Sequence, residues 1–215
     1  MARTAVGVDL GGTKIAGRLV RDDGRVLTAD ERETPGDTEA ILETMVSLIQ
    51  RLRSDDVMGV GIGAAGMVDF EAGAMPFSPN LPLRDVPIRD RIASATGLRC
   101  VVDNDANAAG WGERQLGAGR GHDHMLLLTV GTGIGGALIT GGRVYRGAHG
   151  FAGEVGHVIV EPDGPLCGCG NRGCWEQMAS GQAIDRLARD AATGDPRGGI
   201  AVAAEGERAA GRHVA

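Results

Sequence analysis

Residues 5–33 alternate short apolar runs with turn residues, which is the pattern of neighbouring β-strands. Residues 5–10 (AVGVDL) form an apolar run typical of a buried strand, and the turn residues GGT follow it. Two more strand-like segments come next, KIAGRLV at 14–20 and RVLTADERE at 25–33, with the turn DDG between them. The pattern predicts a meander of three strands.

Apolar residues then recur three and four positions apart over residues 38–53, which predicts an amphipathic helix with Thr38 as its N-cap. The segments after it predict a strand, a helix, a strand and a helix closed by glycine: VMGVGIG (57–63), IRDRIASATG (88–97), CVVDND (100–105) and ANAAGWGERQLG (106–117). From residue 124 a strand-and-turn pattern begins again with HMLLLTVGTGIGG, ALITGG and RVYRG. We interpret this restart as a second domain and predict domains at 1–103 and 104–215, with the boundary between 104 and 122.

Composition supports a folded protein and argues against two classes of partner. The 215 residues are 42% hydrophobic and 23% charged, enough to bury a core in one large domain or two small ones. The net charge of −6 argues against nucleic acid and acidic membrane surfaces, which bind a clustered basic face. No stretch approaches 18 uninterrupted apolar residues, and MARTAVGVDLGG runs directly into strand-like sequence. We therefore expect a cytoplasmic protein without a membrane partner.

Three of the four cysteines lie within eight positions, in the segment GPLCGCGNRGCWE. Together with His157 upstream, Cys167, Cys169 and Cys174 form a Cys3His set, which satisfies a tetrahedral zinc ion and leaves no position for a catalytic water. The metal should therefore be structural. The alternatives are three unligated thiols or a redox pair, although the segment has no C-x-x-C. Cys100 stands alone before an apolar strand, where a small buried thiol is expected.

Glycine accounts for 37 residues, and two segments match G-x-G-x-x-G, at 61–66 and at 131–136. A dinucleotide-binding fold needs that motif to open a helix. The first match leads into MVDFEAGAMPFSPNLP, which is too rich in Gly and Pro for a helix, and the second leads into another strand. The sequence also lacks the Walker pattern G-x-x-x-x-G-K-[ST]. Neither segment therefore predicts a Rossmann site.

Two glycine turns, DLGGTK at 9–14 and GTGIGG at 131–136, are better explained as phosphate-binding hairpins. Glycines in such turns let backbone N–H groups converge on phosphate oxygens, and Thr13, Thr132 and Lys14 can add donors. The alternative is that both segments are ordinary tight turns.

Carboxylates next to these turns can supply the remaining chemistry of phosphoryl transfer. Asp9, just before the first turn, could hold Mg²⁺ through water. Asn104 and Asp105 end a strand and begin a helix, a frequent position for ligand-binding residues in α/β sheets. Asp105 could accept the proton of a substrate hydroxyl while a γ-phosphoryl group is held in line. The alternative is that Asp105 only caps the helix.

Four segments, in this order, resemble the ROK family of sugar kinases and sugar-responsive repressors: DLGGTK, NDANAA, GTGIGGALITGGRVYRGAHGFAGEVGH and CGCGNRGCWEQMASG. Within the family, bacterial glucokinases of the actinobacterial type are the most similar, and the resemblance covers residues 5 to about 190. It implies an α/β protein with the actin-like ATPase (ribonuclease H-like) fold, in which two α/β domains, the second incomplete here, close on ATP and a hexose. It also implies a homo-oligomer for the complete protein.

Carried onto this sequence, the resemblance makes Asp105 the base for the 6-hydroxyl of the sugar. The residues implied to face the nucleotide phosphates, with Mg²⁺, are Asp9, Gly11, Gly12, Thr13, Lys14, Gly131, Thr132 and Gly133. The residues implied to contact the sugar are Gly66, Asn80, Asn104, Asp105, Glu154, His157 and Glu176. If one nitrogen of His157 binds zinc and the other meets a sugar hydroxyl, the zinc shapes the sugar pocket without doing chemistry.

Two departures from the family pattern keep other hypotheses open. Gly135, Gly136 and Ala137 stand where the family usually has GGG, which would crowd this loop slightly. Family members also continue beyond residue 215, with a loop for adenosine and a final helix, so a non-catalytic sugar-binding remnant is an alternative. A kinase for N-acetylmannosamine or fructose is another. A repressor would need an N-terminal helix-turn-helix, whereas strand-like sequence starts at residue 5.

Overall fold

The protein consists of α-helices and three β-sheets, seen here in a computed structural model that describes residues 3–194. The strands in this part of the chain are β1 (Thr4–Leu10), β2 (Lys14–Arg21), β3 (Val26–Glu33), β4 (Val57–Ala64), β5 (Met67–Asp69), β6 (Ala74–Phe77), β7 (Arg84–Val86), β8 (Cys100–Asn104), β9 (Met125–Val130), β10 (Ile134–Thr140) and β11 (Arg143–Val144). The α-helices are α1 (Thr38–Leu52), α2 (Ile88–Thr96), α3 (Asp105–Leu116), α4 (Trp175–Ala179) and α5 (Gly181–Gly194), and a short 3-10 helix spans Val155–His157. Among these described residues, no helix combines the length and apolar character needed to cross a membrane.

Five strands form the main sheet in the order β3-β2-β1-β4-β8. The predicted meander is confirmed: β1 pairs antiparallel with β2, and β2 pairs antiparallel with β3. On its other side β1 runs parallel to β4, which runs parallel to β8. Three antiparallel strands continued by parallel ones are the topology that the predicted ribonuclease H-like fold requires. The carboxyl ends of β1, β4 and β8 consequently meet at one edge, where Leu10, Ala64 and Asn104 are in register.

One face of the main sheet is closed by apolar packing against α1 and α2. Alternate residues of β1 are buried, as expected for a strand covered on one face. The core cluster comprises Val6, Val8, Leu10, Ile15, Leu19, Ile41, Leu42, Met45, Leu48, Ile49, Leu52, Val60, Ile62, Ala64, Val68, Met75, Leu81, Leu83, Val86, Ile88, Ile92, Cys100 and Val102. The prediction for Cys100 is confirmed, since it is buried in β8, and burial raises the pKa of its thiol to about 11.

The start of α1 differs from the prediction by one residue. Asp37, and not Thr38, is the N-cap, because its Oδ1 accepts a hydrogen bond from the Ala40 N–H at 2.9 Å. The hydroxyl of Thr38 instead donates to the carbonyl of Pro82 at 2.6 Å. A distant partner that the sequence could not reveal therefore takes the hydroxyl away from the helix end.

As predicted, the Gly- and Pro-rich segment after β4 is not helical. The chain there forms a small sheet in the order β5-β6-β7. A third sheet has the order β11-β10-β9. Within this sheet, packing explains why alanine is accommodated at position 137, where the family pattern usually has glycine. Ala137 is fully buried in β10, and a Cβ built on Gly110 of α3 would lie 2.6 Å from its methyl group. Because Gly110 has no side chain, the alanine methyl fits there.

The chain divides into two compact units that differ from the predicted domains. The first unit is Met1–Leu127 with Gly136–Gly153, and the second is Leu128–Gly135 with the described residues from Glu154 onward. The predicted boundary after residue 103 lies inside the first unit, because β8 runs directly into α3, which packs on β4. The segment from Asp195 onward lies outside the described residues.

Candidate active site and metal centre

The first glycine turn of the first unit joins β1 to β2, as predicted, and is tightly fixed. The Gly11 N–H donates to the Lys14 carbonyl at 3.1 Å, and the Thr34 hydroxyl donates to the Gly11 carbonyl at 2.7 Å. A Cβ built on Gly12 would lie 3.1 Å from the carbonyl oxygen of Asn80. The turn and the SPNLP segment therefore lie against each other, so two of the predicted binding segments are brought together.

Lys14 has a partner that sequence reasoning missed. Its ammonium nitrogen lies 3.1 Å from Glu31 Oε2, in a solvent-exposed pair between the neighbouring strands β2 and β3. The pair is exposed, so it holds the ammonium only weakly. Lys14 thus remains available to an anion at the turn.

Asn104 and Asp105 lie at the junction of β8 and α3, and the structure decides which of them caps the helix. Asn104 is the N-cap, because its Oδ1 accepts from the Asn107 N–H at 3.1 Å. The Asn104 amide nitrogen donates to Asp105 Oδ1 at 2.9 Å and to the Gly66 carbonyl at 3.2 Å. The alternative that Asp105 only caps the helix is therefore wrong, and its carboxylate is available for another role.

The surroundings of the Asp105 carboxylate suit a general base. Desolvation by the surrounding protein, followed by the negative charge of Asp9, raises its pKa, although Asp105 keeps exposed surface. The Ala106 N–H donates to Oδ1 at 2.9 Å and opposes that shift. A carboxylate with a raised pKa accepts a hydroxyl proton more readily than an ordinary one.

Gly66 is needed for its backbone rather than for a side-chain contact. Its φ of +153° lies in a region that residues with a Cβ rarely adopt, and a Cβ there would lie 2.9 Å from the Phe77 carbonyl oxygen. Its own carbonyl is the acceptor for Asn104. Gly66 therefore supports the residue that orients Asp105.

A partly buried ion pair next to this junction was not predicted from the sequence. Asp103 accepts from Arg146 Nη2 at 2.5 Å and from Arg146 Nε at 3.2 Å. The same carboxylate accepts from the Asn104 N–H at 2.9 Å and from Asn107 Nδ2 at 3.3 Å, and the guanidinium carbon of Arg146 lies 3.6 Å from the centre of the Phe70 ring. The signal in the sequence was an acidic residue immediately before NDANAA and an arginine in the RGAHG segment. Through these contacts, Asp103 and Arg146 hold the start of α3 in place.

In the second unit, all four predicted metal ligands converge. One ligand atom from each of His157, Cys167, Cys169 and Cys174 lies within 4.8 Å of the others. His157 Nδ1 is 3.5 Å from Cys167 Sγ, and the sulfurs of Cys169 and Cys174 are 3.6 Å apart. Sulfurs bound to one tetrahedral zinc ion at about 2.3 Å would be about 3.8 Å apart. The residues present therefore fit a closed structural zinc site.

The backbone around the ligands explains why glycines surround the cysteines. Two antiparallel bridges, Ile159 with Cys174 and Leu166 with Arg172, fold the segment back on itself. Gly173 has a φ of +66°, and a Cβ built on it would lie 1.4 Å from the carbonyl oxygen of Glu161. The loop can therefore close only with glycine at this position.

Because Nδ1 of His157 faces the cysteines, its other ring nitrogen faces away from them. His157 Nε2 lies 3.9 Å from Glu154 Oε2, which precedes the 3-10 helix that ends at His157. Two predicted sugar-binding residues, Glu154 and His157, are therefore neighbours. A metal on Nδ1 would fix the orientation of the ring and leave Nε2 for a hydrogen bond.

The second glycine turn also belongs to the second unit and joins β9 to β10. The Gly131 N–H donates to the Gly133 carbonyl at 3.0 Å, so the backbone closes on itself as a tight turn. Glu176, predicted to contact a sugar, has an additional partner here: its Oε2 accepts from the Ile134 N–H at 3.1 Å. This contact joins residues 42 positions apart and was not predicted.

Comparisons with known proteins agree with this arrangement. The model of the ROK family matches residues 5–214. A glucokinase from Streptomyces coelicolor is 44% identical over 192 residues, and a glucokinase from Thermotoga maritima is 44% identical over 189 residues. These matches cover 89% and 86% of this chain but only 61% and 60% of the relatives. The chain thus spans about three fifths of the length of the relatives it matches.

A solved structure resembles the chain to a similar extent. It is a ROK family glucokinase from Streptomyces griseus in complex with glucose and AMPPNP, with a TM-score of 0.79 and 46% identity. The match covers 90% of this chain and 62% of that one. The similarity therefore extends over nearly all of the elements described above.

Proposed function

The chain belongs to the ROK family and has its actin-like ATPase fold, and from this premise we propose that it carries the catalytic carboxylate and sugar-binding residues of an ATP-dependent sugar kinase. The reaction is transfer of the γ-phosphoryl group to the 6-hydroxyl of a hexose, and glucose is the first candidate. The glucokinases among its relatives and the glucose and AMPPNP in the Streptomyces griseus structure support this choice. The location in the cytoplasm and the homo-oligomeric state stay predictions.

The observation that carries the proposal is the oriented carboxylate of Asp105. It follows the end of a parallel strand, Asn104 holds its Oδ1, and desolvation raises its pKa. In the proposed reaction Asp105 accepts the proton of the 6-hydroxyl as that oxygen bonds to the γ-phosphorus. The bond from the γ-phosphorus to the bridging oxygen breaks, and ADP leaves. Asn104 keeps the accepting oxygen in place during the transfer.

The two glycine turns are the proposed phosphate-binding segments. Each is a short turn between two strands. The N–H groups of Gly11, Gly131 and Ile134 already have acceptors, so the other backbone N–H groups of the turns are the proposed donors to anionic oxygens. Asp9 would hold Mg²⁺ through water, and that ion would neutralise charge on the phosphates. Thr13, Lys14 and Thr132 are the proposed additional donors.

We propose that side chains in each unit contact the sugar hydroxyls. In the first unit these are Asn80 and Asn104, with Gly66 lining the pocket. In the second unit they are Glu154, His157 and Glu176. The zinc site has a positioning role in this assignment. A zinc ion on His157 Nδ1 would fix the ring so that Nε2 presents one tautomer to a hydroxyl.

The decisive experiment measures ADP formation with a panel of hexoses, using the longer protein if this chain is part of one. Glucose should be the preferred acceptor, and Asp105→Asn should lower turnover by about 10²- to 10⁴-fold while calorimetry still detects sugar binding. Asp55→Asn, an exposed carboxylate in the loop before β4, is the matched control and should leave turnover unchanged. Near-normal turnover of Asp105→Asn would refute the assignment of the base.

The panel also distinguishes the other hypotheses. A preference for N-acetylmannosamine or fructose would change the substrate and leave the reaction class intact. Sugar binding without ADP formation would favour the non-catalytic remnant, an alternative that is open because the chain spans about three fifths of its relatives' length.

A further inference from the structure

The second glycine turn is held by the helical segment that follows the metal ligands. The Ile134 N–H donates to Glu176 Oε2 at 3.1 Å, and the Gly181 N–H donates to the Gly131 carbonyl at 2.7 Å. A Cβ built on Gly133 would lie 2.2 Å from Glu176 Oε2, and one on Gly181 would lie 2.8 Å from the Gly131 carbonyl oxygen. The turn and the start of α4 and α5 are therefore in direct contact on both sides of Thr132.

Glu176 is in turn fixed by the metal-binding residues. It lies two residues after Cys174, the residue that precedes α4, and the Gln177 N–H donates to the Cys174 carbonyl at 2.8 Å. The other carboxylate oxygen of Glu176, Oε1, is 3.8 Å from Cys167 Sγ. Cys174 is joined to Glu176 through the start of α4 and Cys167 lies beside its carboxylate, so the position of Glu176 depends on the metal-binding segment.

The segment that carries the histidine ligand also contacts the second glycine turn. Gly156, next to His157, lies so close to β10 that a Cβ on it would be 2.0 Å from the Ile134 carbonyl oxygen. The peptide groups at Ile134 are therefore bounded by Glu176 at the N–H and by Gly156 near the carbonyl. Movement of either ligand segment would displace the turn.

We propose that the metal centre and the turn at 131–134 form one coupled element, in which the bound metal fixes the turn through Glu176. Glu176 is a positioning residue for the turn, in addition to its proposed contact with the sugar. Because the turn binds nucleotide phosphates in the proposed function, on which this inference rests, metal and nucleotide should bind cooperatively. The metal then supports the nucleotide side of the reaction as well as the sugar side.

Amide hydrogen exchange at Ile134 tests the coupling without any need for activity. Zinc-loaded protein should protect this amide, and removal of the metal by a chelator should speed its exchange about ten-fold or more, as expected for a lost hydrogen bond to a charged acceptor. Glu176→Ala should speed exchange similarly in zinc-loaded protein, whereas Glu176→Gln keeps an acceptor oxygen and should retain most of the protection. Asp163→Ala removes an exposed carboxylate from the same loop and is the control.

Perturbing the turn should act back on the metal, because coupling between two sites is reciprocal. Gly133→Ala introduces a methyl group where Glu176 Oε2 lies, so zinc affinity should fall several-fold, with one zinc still bound at saturation. Mg²⁺ with AMPPNP should raise zinc affinity by the same factor by which zinc raises the affinity for AMPPNP.

The outcomes separate this inference from the proposed function. If AMPPNP does not bind even to zinc-loaded protein, the nucleotide role is refuted, and exchange at Ile134 still decides whether metal and turn are coupled. If exchange at Ile134 is the same in zinc-loaded, metal-free and Glu176→Ala proteins, the coupling does not exist.

Discussion

The ion pair between Arg146 and Asp103 should be one of the strongest polar contributions to the stability of the first unit. The side chains are only 25% and 12% exposed, and Asp103 accepts two further hydrogen bonds, from the Asn104 N–H and Asn107 Nδ2. Arg146→Met keeps an apolar side chain over Phe70 but leaves the carboxylate without its cation. Breaking a buried pair in this way costs about 3–5 kcal/mol. Because Arg146 is partly exposed and two hydrogen bonds remain, we expect a loss of about 3 kcal/mol.

This loss is measurable by urea unfolding with zinc held at saturation, and as a fall in Tm of about 6–12 °C. Asp103→Asn combined with Arg146→Met removes the uncompensated charge, so the double variant should regain part of the stability lost by Arg146→Met. Arg91→Met is the control: its pair with Glu39 lies on the surface, so no measurable loss is expected. A loss below about 1 kcal/mol for Arg146→Met, or no recovery in the double variant, would refute this account of the pair.

Three further predictions concern Asp105 and the metal centre. The raised pKa of Asp105 means that the folded state binds the proton of this carboxyl group more tightly than the unfolded state does. The contribution of Asp105 to stability therefore falls as the pH rises from the ordinary pKa of the carboxyl group to its pKa in the folded state, and it stays low at higher pH. Asp105→Asn should therefore raise the free energy of unfolding at pH 7, and a less stable variant there would contradict the direction of the shift. For the same reason the acidic limb of the pH–rate profile should lie above the ordinary pKa of an aspartate, and it should be absent from the residual activity of Asp105→Asn. Purified, reduced protein should carry about one zinc per chain. Cys169→Ser should weaken zinc binding and lower Tm, because a closed Cys3His site couples metal binding to folding. Metal analysis that finds no zinc would refute the site.

Local patterns were sufficient to predict most of the secondary structure. The apolar run at residues 5–10 and the periodicity at 38–53 correspond to β1 and α1, because burial of one face imposes the strand and helix repeats directly on the sequence. The capping residues were less predictable. At α1 the choice between Asp37 and Thr38 depended on the Pro82 carbonyl, which is 44 positions from Thr38.

The candidate site divides in the same way. The motif spacing was sufficient to predict that His157 and the three cysteines converge, because the glycines between the cysteines let the backbone turn tightly. The sequence could not show that Asn104 holds Asp105, because asparagine and aspartate are both good helix caps.

By itself, the sequence was enough to predict most strands and helices up to β11, though not β5–β7, α4 or α5, together with the two glycine turns and the candidate metal ligands. Each of these depends on interactions among residues that are near neighbours in the chain. Only the tertiary structure decided which distant groups meet. Arg146 reaches Asp103 across 43 positions, and Glu176 reaches the Ile134 N–H across 42. Neither contact leaves a periodic pattern, because a single ion pair or hydrogen bond needs only one suitable residue at each end. Their partners are set by how the sheet edge and the metal-binding segment fold in space.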